Sequence, residues 1–276
     1  MSQASIAAIG RILDIHLHSQ GEIRPHFILT GPSGSGKTHN IMAECDARLI
    51  PFYEINCAAI TKEGLSGNSL SKAMAPIANS AMQPCVVFMD EFDKLFISGN
   101  SNTQLAHEST NGVQNELLKM LESQTTSVYT GNYGQYEQIT VDHCLFVFAG
   151  AFNGEADITL DRLRDMGLKT ELLGRIGLTY SMEKVKLEVL LEAVRTSELL
   201  DKYATLTAGF SEKDRKKAID TVSAVIEDSY EHNTIGFRAI AALYHRYFID
   251  GTLETPKKQM VFTKQLAMAT PSIFES

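Results

Sequence analysis

The stretch Gly31-Pro-Ser-Gly-Ser-Gly-Lys-Thr38 decides the fold of this chain. It matches the pattern G-x-x-x-x-G-K-[ST] at every fixed position, and it lies between a strand-like run, His26 to Thr30, and a helix-compatible segment, Thr38 to Ala47. The backbone N–H groups of such a loop curl around a phosphate chain, and the N-terminus of the following helix adds partial positive charge. The loop therefore predicts a phosphate-binding site. The alternative is a chance glycine-rich turn.

The residues of this loop take separate roles in the prediction. Lys37 supplies a mobile cation for the β- and γ-phosphates, and the hydroxyl of Thr38 is placed to bind Mg²⁺. We expect ATP and Mg²⁺ as ligands. The residues expected to contact the nucleotide are Gly31, Pro32, Ser33, Gly34, Ser35, Gly36, Lys37, Thr38 and His39.

A second motif, Val86-Val-Phe-Met-Asp-Glu91, reads as a buried strand that ends in two adjacent carboxylates. Ligands of open α/β sheets bind outside the carboxyl ends of the strands, where these two residues fall. Asp90 is placed to hold Mg²⁺ through its water shell, and Glu91 to orient and activate the attacking water. The alternative is a pair of solvated acids that closes a strand.

Short apolar runs alternate with helical patterns through the first part of the chain. Besides His26 to Thr30, strands are predicted at Leu49 to Ile55, Cys85 to Met89 and Cys144 to Ala149, and a further helix at Val113 to Glu122. This alternation is typical of a parallel sheet flanked by helices on both faces. We therefore predict a large α/β domain over residues 1–180. An amphipathic helix is expected at the start of this domain.

After residue 181 the pattern becomes helical. Apolar residues recur at helical spacing in three segments, which predicts a small α-helical domain over residues 181–276. The apolar positions are Leu187, Leu190, Leu191 and Val194, then Ile219, Val222 and Ile226, then Ile240, Leu243, Tyr244 and Tyr247. In the α/β part, Tyr129, Tyr133 and Tyr136 lie in a turn-rich stretch that predicts a hairpin.

Composition narrows the choice of partners. The net charge of −8 and the pI near 5.5 disfavour nucleic acid, whose nonspecific binding needs clustered Lys and Arg. No run reaches the length of a membrane span, and the N-terminus does not resemble a signal peptide, so we expect no membrane partner. The four cysteines show no C-x-x-C spacing and no histidine joins a cysteine or acidic cluster at ligand spacing, so we expect reduced thiols, a cytoplasmic protein and no protein-held metal.

Taken together, the motifs resemble the ATPase module of AAA+ proteins of the ClpX type, with the HslU branch close behind. The resemblance rests on the phosphate loop and on the runs Asp90 to Leu95, Val113 to Lys119 and Phe148 to Phe152. It resumes at Leu172 to Ile176 and at Ile235 to Arg238, in the same order.

The resemblance implies a homo-oligomeric ring, usually a hexamer, with nucleotide bound at each subunit boundary. It also gives roles to two arginines that would otherwise read as surface ion-pair residues. Arg175 would reach the γ-phosphate held by the neighbouring subunit, as a catalytic residue beside Glu91 and Lys37. Arg238 would contact the nucleotide of its own subunit and couple it to domain rotation.

Three departures from the ClpX pattern bear on the substrate. The chain has Gly64-Leu-Ser-Gly67 where ClpX carries an aromatic pore loop, so Leu65 predicts a weaker grip on a translocating polypeptide. The motor core begins almost at once, so we expect no counterpart of the zinc domain of ClpX. Only a short segment, Asn153 to Leu168, stands where ClpX has its peptidase-docking loop, so we expect no ClpP-type peptidase as partner. Asn153 is also the candidate sensor-1 residue, with a turn role as the alternative.

The leading hypothesis is an ATP-hydrolysing ring that remodels or unfolds a protein substrate, or a dedicated protein partner, without the peptidase. A nucleic-acid motor or loader is an alternative from the same superfamily. An ATP-gated oligomeric scaffold with little turnover is the alternative from a different class. Stimulation by DNA or RNA discriminates the first alternative, and the effect of Glu91→Gln discriminates the second.

Overall fold

The computed structural model describes residues 3–61, 68–78, 82–96, 104–129, 135–155, 158–207, 209–233, 235–251 and 253. The chain forms two compact units. The first comprises Met1–Pro32 and Gly36–Glu183, and the second comprises Ser33–Ser35 and Lys184–Ser276. The boundary that the sequence predicts, between residues 180 and 181, lies close to the junction at Glu183.

The first unit alternates helices and strands. In chain order its elements are α1 (Gln3–His18), β1 (Phe27–Thr30), α2 (Lys37–Asp46), β2 (Phe52–Asn56), β3 (Ile60–Thr61), β4 (Asn68–Ser69), α3 (Leu70–Ala73), α4 (Ala75–Ala78), β5 (Cys85–Asp90), α5 (Gln104–Ser123), β6 (Thr125–Tyr129), β7 (Tyr136–Thr140), β8 (Cys144–Gly150), α6 (Leu160–Asp165), α7 (Thr170–Ile176) and β9 (Leu178–Ser181).

The main sheet has five strands within the described residues, in the order β2-β5-β8-β1-β9, and every neighbouring pair is parallel. The predicted parallel α/β fold is thus confirmed. Three predicted strands agree closely with β1, β5 and β8. The fourth, predicted from Leu49, begins only at Phe52, because the backbone at Leu49 is left-handed with φ 56°. The edge strand β9 was not predicted, since its four residues are exposed or half-buried and form no continuous apolar run.

Helices cover both faces of this sheet, which explains why its inner strands are apolar at consecutive positions. In β5, Val86 and Phe88 belong to the core shared with α1 and α2. Val87 and Met89 belong to the core on the opposite face, shared with α5 and α7. Each large apolar side chain buried in this way contributes about 1.5–3 kcal/mol to the free energy of unfolding. The sheet is therefore a rigid platform for the loops at its ends.

The second unit contains α8 (Leu187–Arg195), α9 (Glu198–Leu206), α10 (Glu212–Ser229) and α11 (Arg238–Asp250). The predicted apolar stripes supply its core, in which the hydroxyl of Tyr244 donates a hydrogen bond of 2.7 Å to the carbonyl oxygen of Val194. A capping box begins α10, in which the side chains of Ser211 and Asp214 each accept a hydrogen bond from the backbone N–H of the other residue.

The two segments that bear most on a substrate are only partly described. The predicted hairpin exists as the antiparallel pair β6–β7, in which the rings of Tyr129 and Tyr136 pack edge to face at 5.7 Å. Its tip, with Tyr133, and the loop with Leu65 lie outside the described residues. None of the helices in the described ranges is both long enough and apolar enough to cross a lipid bilayer.

Candidate nucleotide-binding site

The loop between β1 and α2 has the backbone of a phosphate cradle. Gly36, at the N-cap of α2, is left-handed with φ 84°, a conformation that glycine adopts at little cost. At Gly31 a Cβ would lie 2.7 Å from Cβ of Met182, which is hydrogen-bonded to the end of β1 through its N–H. Only glycine fits there. The loop therefore turns tightly enough to present backbone N–H groups to an anion.

The polar side chains of the loop point to the same ligand. The Nζ of Lys37 donates hydrogen bonds to the carbonyl oxygens of Gly31 and Pro32, at 2.8 and 3.0 Å. The hydroxyl of Ser35 is buried and has no hydrogen-bond partner among the described residues. Leaving a buried hydroxyl unsatisfied costs about 1–3 kcal/mol, which a phosphate oxygen would recover. The loop thus fits a phosphate chain.

Thr38 and Asp90 come together from two different elements. Thr38 is in the first turn of α2 and Asp90 is the last residue of β5, and Thr38 Oγ1 donates to Asp90 Oδ2 at 3.5 Å. A hydroxyl and a carboxylate are the hard oxygen donors that Mg²⁺ prefers, usually beside phosphate oxygens and water. The donor set present therefore fits Mg²⁺.

Glu91 turns the chain sharply at the end of β5. Its φ of 53° is left-handed, and its N–H donates to Asp90 Oδ1 at 2.8 Å. A non-glycine residue held in this region costs on the order of 1–3 kcal/mol and is found most often at functional sites. The turn leaves the side chain of Glu91 exposed, next to the carboxylate of Asp90.

Negative charge concentrates at this end of β5. Burial raises the pKa of the Cys57 thiol well above its usual value, and the carboxylates of Asp90, Asp93 and Glu91 raise it further. Burial likewise raises the pKa of Glu54, with a smaller contribution from Asp90. The local field therefore favours a cation.

The structure adds Asp93, for which the motifs predict no role. Asp93 is 1% exposed, and its Oδ2 accepts a hydrogen bond of 3.3 Å from the N–H of Phe152 and lies 3.5 Å from Nζ of Lys94. It thereby joins the turn after β5 to the turn after β8. The signal in the sequence was a charged residue between Phe92 and Leu95, which are both buried. Buried acids need partners of this kind.

Asn153, the sensor-1 candidate, lies in the turn after β8. It is exposed and left-handed, with φ 57°, between Phe152 at 47° and Gly154 at 75°. Left-handed Asn is common in turns, because its short polar side chain hydrogen-bonds locally. The geometry favours the turn interpretation.

The remaining predicted residues lie on surfaces. Arg175, near the end of α7, pairs with Glu122 at 2.9 Å, and both side chains are about half exposed at 53% and 44%. Such a pair contributes little to stability, so the guanidinium can be redirected at small cost. His39 is exposed in the first turn of α2.

Arg238 lies in the second unit, at the start of α11. Its Nη1 donates to Ser33 Oγ at 3.0 Å, and both residues belong to that unit. The N–H of Phe237 donates to the carbonyl oxygen of Gly34 at 3.2 Å. Asn233 Oδ1 accepts from the N–H groups of Ile235 and Gly236 and fixes the turn before the helix.

The parallel sheet, the glycine loop with its lysine, and the carboxylates at the end of β5 define a P-loop nucleotide-binding protein. Comparison with known proteins gives the family: residues 27–165 match the ATPase family associated with various cellular activities (AAA). The chain belongs to this family and is an ATPase.

Its similarity extends beyond that domain. The chain is 22% identical to the ATP-dependent Clp protease ATP-binding subunit ClpX of Treponema denticola over 290 residues, which cover 88% of this chain and 70% of that protein. The resemblance to ClpX-type AAA+ proteins that the motifs predict is confirmed at the level of the family.

Proposed function

We propose that this protein is a ring-forming AAA+ remodeller that uses ATP hydrolysis to unfold or rearrange a protein substrate and acts without a ClpP-type peptidase. The observation that carries the proposal is the meeting of Thr38 and Asp90 at 3.5 Å beside Glu91, in a chain that is similar to ClpX over 88% of its length. On the basis of the similarity to ClpX, we also propose that the protein is cytoplasmic and forms a hexamer.

The loop residues bind the triphosphate in this proposal. The backbone N–H groups from Gly31 to Thr38 surround the phosphates, and Lys37 releases its two carbonyl partners to reach the β- and γ-phosphates. Thr38 and Asp90 hold Mg²⁺, which neutralises charge on the phosphate oxygens. His39 follows the loop and borders the nucleotide.

Glu91 serves as the catalytic base in this scheme. Its side chain is exposed at the carboxyl end of β5, and the hydrogen bond from its own N–H to Asp90 fixes the position of its backbone. From there the carboxylate orients the attacking water and accepts its proton. Phosphoryl transfer depends mainly on such positioning and on charge compensation.

The two arginines complete the proposal. Arg175 stabilises charge on the γ-phosphate held by the neighbouring subunit, which its exposure and its weak ion pair with Glu122 permit. For Arg238 we retain the role that the resemblance implies, contact with the nucleotide of its own subunit. The short stretch between Asn153 and Leu168, occupied in part by α6, supports independence from the peptidase.

The test is the ATP hydrolysis rate per subunit as protein concentration rises, for the wild type, Glu91→Gln and Glu22→Gln. Glu22 is exposed and lies before β1, away from the site, so its variant is a matched control. We expect the wild-type rate to climb with concentration as rings assemble. Glu91→Gln should lower the rate by about 10²–10⁴-fold while ATP binding persists, because general-base catalysis contributes about that much.

The substrate class is tested in the same assay by adding unfolded casein, single-stranded DNA or RNA. Stimulation by the unfolded protein alone supports the remodeller. Stimulation by nucleic acid alone would replace it with a nucleic-acid motor. A flat, negligible rate under all conditions, with Glu91→Gln equal to the wild type, would leave an ATP-gated scaffold.

A further inference from the structure

At the amino ends of the two central strands, the first residues of β5 and β8 place two thiols side by side. Cys85 and Cys144 are register partners, and their Sγ atoms lie 3.4 Å apart. One ring nitrogen of His143 completes a triangle in which every ligand atom is within 4.8 Å of the others. Both thiols are fully buried, and His143 is 6% exposed. The sequence predicted no cluster of histidine and cysteine side chains, and that prediction was wrong for these three residues.

These distances suit a thiophilic cation. Zn²⁺ binds thiolate sulfur at about 2.3 Å and imidazole nitrogen at about 2.0–2.1 Å, so the two sulfurs of a tetrahedral site stand about 3.8 Å apart and a sulfur and a nitrogen about 3.6 Å apart. The observed sulfur separation of 3.4 Å is about 0.4 Å shorter, so the two thiols need to part only slightly to hold the ion. Two thiolates also balance the charge of a divalent cation, which makes its burial affordable.

The surroundings hold the three ligand residues in place. The N–H of Cys85 donates to the carbonyl oxygen of His143 at 3.2 Å, so the strand start and the histidine are directly joined. His16 Nε2 is 3.2 Å from the carbonyl oxygen of Cys85. Nδ1 of His143 lies 3.4 Å from a carboxylate oxygen of Asp142. A carboxylate that holds one ring nitrogen of a histidine orients the ring, as acids do beside metal-binding histidines.

The segment after α1 and the turn before β8 enclose the cluster. A Cβ at Gly21 would lie 3.1 Å from Cα of His143, which shows how closely the segment after α1 packs on it. Arg24 Nη1 donates to the carbonyl oxygen of Val141 at 3.2 Å and ties the same segment to the turn before β8. The three ligands thus belong to a packed, preorganised group.

We propose that Cys85, Cys144 and His143 form a zinc site that fastens the amino ends of β5 and β8, at the opposite edge of the sheet from the nucleotide. The site requires no nucleotide and no oligomer. A disulfide between Cys85 and Cys144 is the competing use of the two thiols.

The test uses the full chain, reduced, freed of nucleotide and treated with EDTA, and then titrated with Co²⁺ and with Zn²⁺. Co²⁺ bound to two thiolates gives a sulfur-to-metal charge-transfer band in the near ultraviolet, which a site of oxygen ligands such as Thr38 and Asp90 does not give. We expect one equivalent of Co²⁺ to produce this band and Zn²⁺ to abolish it. Zn²⁺ at about a hundredfold over its Kd should raise Tm by about 5–10 °C.

The variants are Cys85→Ala, Cys144→Ala and His143→Gln, with Cys57→Ala as the matched control. Cys57 is a fully buried thiol at the carboxyl end of β2. Each ligand variant should lose the band and the rise in Tm, and the control should keep both. A band that survives in the ligand variants, or a wild type that gives none, would overturn the proposal.

One further measurement keeps the test decisive if a ligand variant fails to fold. Alkylation of the wild-type thiols, mapped by mass spectrometry, should slow at least tenfold at Cys85 and Cys144 when Zn²⁺ is present, relative to Cys57. Equal rates with and without Zn²⁺ would reject the site. A disulfide between the two cysteines that forms in place of metal binding would reject it as well.

Discussion

The two edges of the central sheet are built on the same strands but in different ways. At the carboxyl edge, Asp90 and Glu91 leave β5 beside the phosphate loop, so the chemistry lies in short contiguous motifs. At the amino edge, Cys85 and Cys144 meet only because β5 and β8 are in register, although they lie 59 residues apart. A local motif in the sequence reveals the functional residues of the carboxyl edge. The pairing of the two cysteines at the amino edge is visible only in the folded structure.

The edges also differ in polarity. The carboxyl edge gathers carboxylates and keeps Glu91 exposed, which suits a charged ligand that enters and leaves. The amino edge buries thiols and histidines, and burial lowers the pKa of His26 to about 3. The carboxyl edge therefore suits a ligand that exchanges, whereas the amino edge suits a buried group that stays in place. Three predictions test or sharpen this contrast.

The largest expected effect is on ATP turnover, which we assign to the carboxyl edge. Arg175→Ala should lower ATP turnover by about 10³-fold or more with little change in ATP binding, because an arginine supplied to the γ-phosphate contributes that much. The measurement is steady-state hydrolysis together with nucleotide affinity. Arg164→Ala is the matched control, because Arg164 is 54% exposed against 53% for Arg175 and is likewise in an ion pair.

Mixing experiments separate a residue that acts on a neighbour from one that acts on its own nucleotide. Subunits carrying Glu91→Gln, mixed with subunits carrying Arg175→Ala, should recover part of the activity, since some interfaces then contain both wild-type residues. No recovery, or an equal loss in Arg164→Ala, would contradict the shared site.

The sequence was sufficient for the carboxyl edge for a physical reason. Phosphate binding needs a particular backbone and a lysine within one loop, so Gly31, Gly36 and Lys37 carry the signal within eight positions. The apolar run of β5 and its two acids were equally local. The parallel α/β class followed from the alternation of such runs with helical patterns.

What the sequence could not reveal depends on pairing between distant residues. His143 and Cys85 approach one another only through strand register, which apolar runs do not specify. Asp93 was visible as a charge among buried residues, yet its partner, the N–H of Phe152, belongs to another turn. The strand β9 was missed because one exposed and three half-buried residues show no clear period.

The second prediction concerns the pH dependence of stability at the amino edge. His26 stays neutral in the folded protein down to a pKa of about 3, because burial and the positive charge of Arg24 oppose protonation, with His16 adding to this. The unfolded chain takes up the proton below about pH 6.5. The free energy of unfolding should therefore fall as pH drops from 6.5 to 5, with a slope approaching about 1.4 kcal/mol per pH unit from this group.

Chemical denaturation at a series of pH values from 7 to 5 checks this slope. His26→Asn keeps an acceptor for the N–H of Phe146, to which His26 Nδ1 is hydrogen-bonded at 3.1 Å, and should flatten the curve. His18→Gln removes an exposed histidine of α1 and should keep the wild-type slope. A slope that is unchanged in His26→Asn would show that the pH dependence arises elsewhere.

The third prediction concerns the junction of the two turns beside the carboxyl edge. A Cβ at Gly150 would lie 2.5 Å from Asp93 Oδ1 and 2.8 Å from Cε2 of Phe152. Asp93 has little freedom to move, because its other oxygen accepts from the N–H of Phe152. Gly150→Ala should therefore lower the free energy of unfolding by about 1–3 kcal/mol, the usual cost of overpacking.

Gly174→Ala is the matched control for this substitution, and its effect should have the opposite sign. Gly174 lies inside α7 with no atom within 4 Å of an added Cβ, so alanine should stabilise the helix by about 0.5–1 kcal/mol. Equilibrium unfolding in urea of both variants gives the comparison. If Gly150→Ala were neutral, the turn that holds Glu91 would be freer to move than the contacts of Asp93 imply, and the carboxyl edge would be the more adaptable of the two.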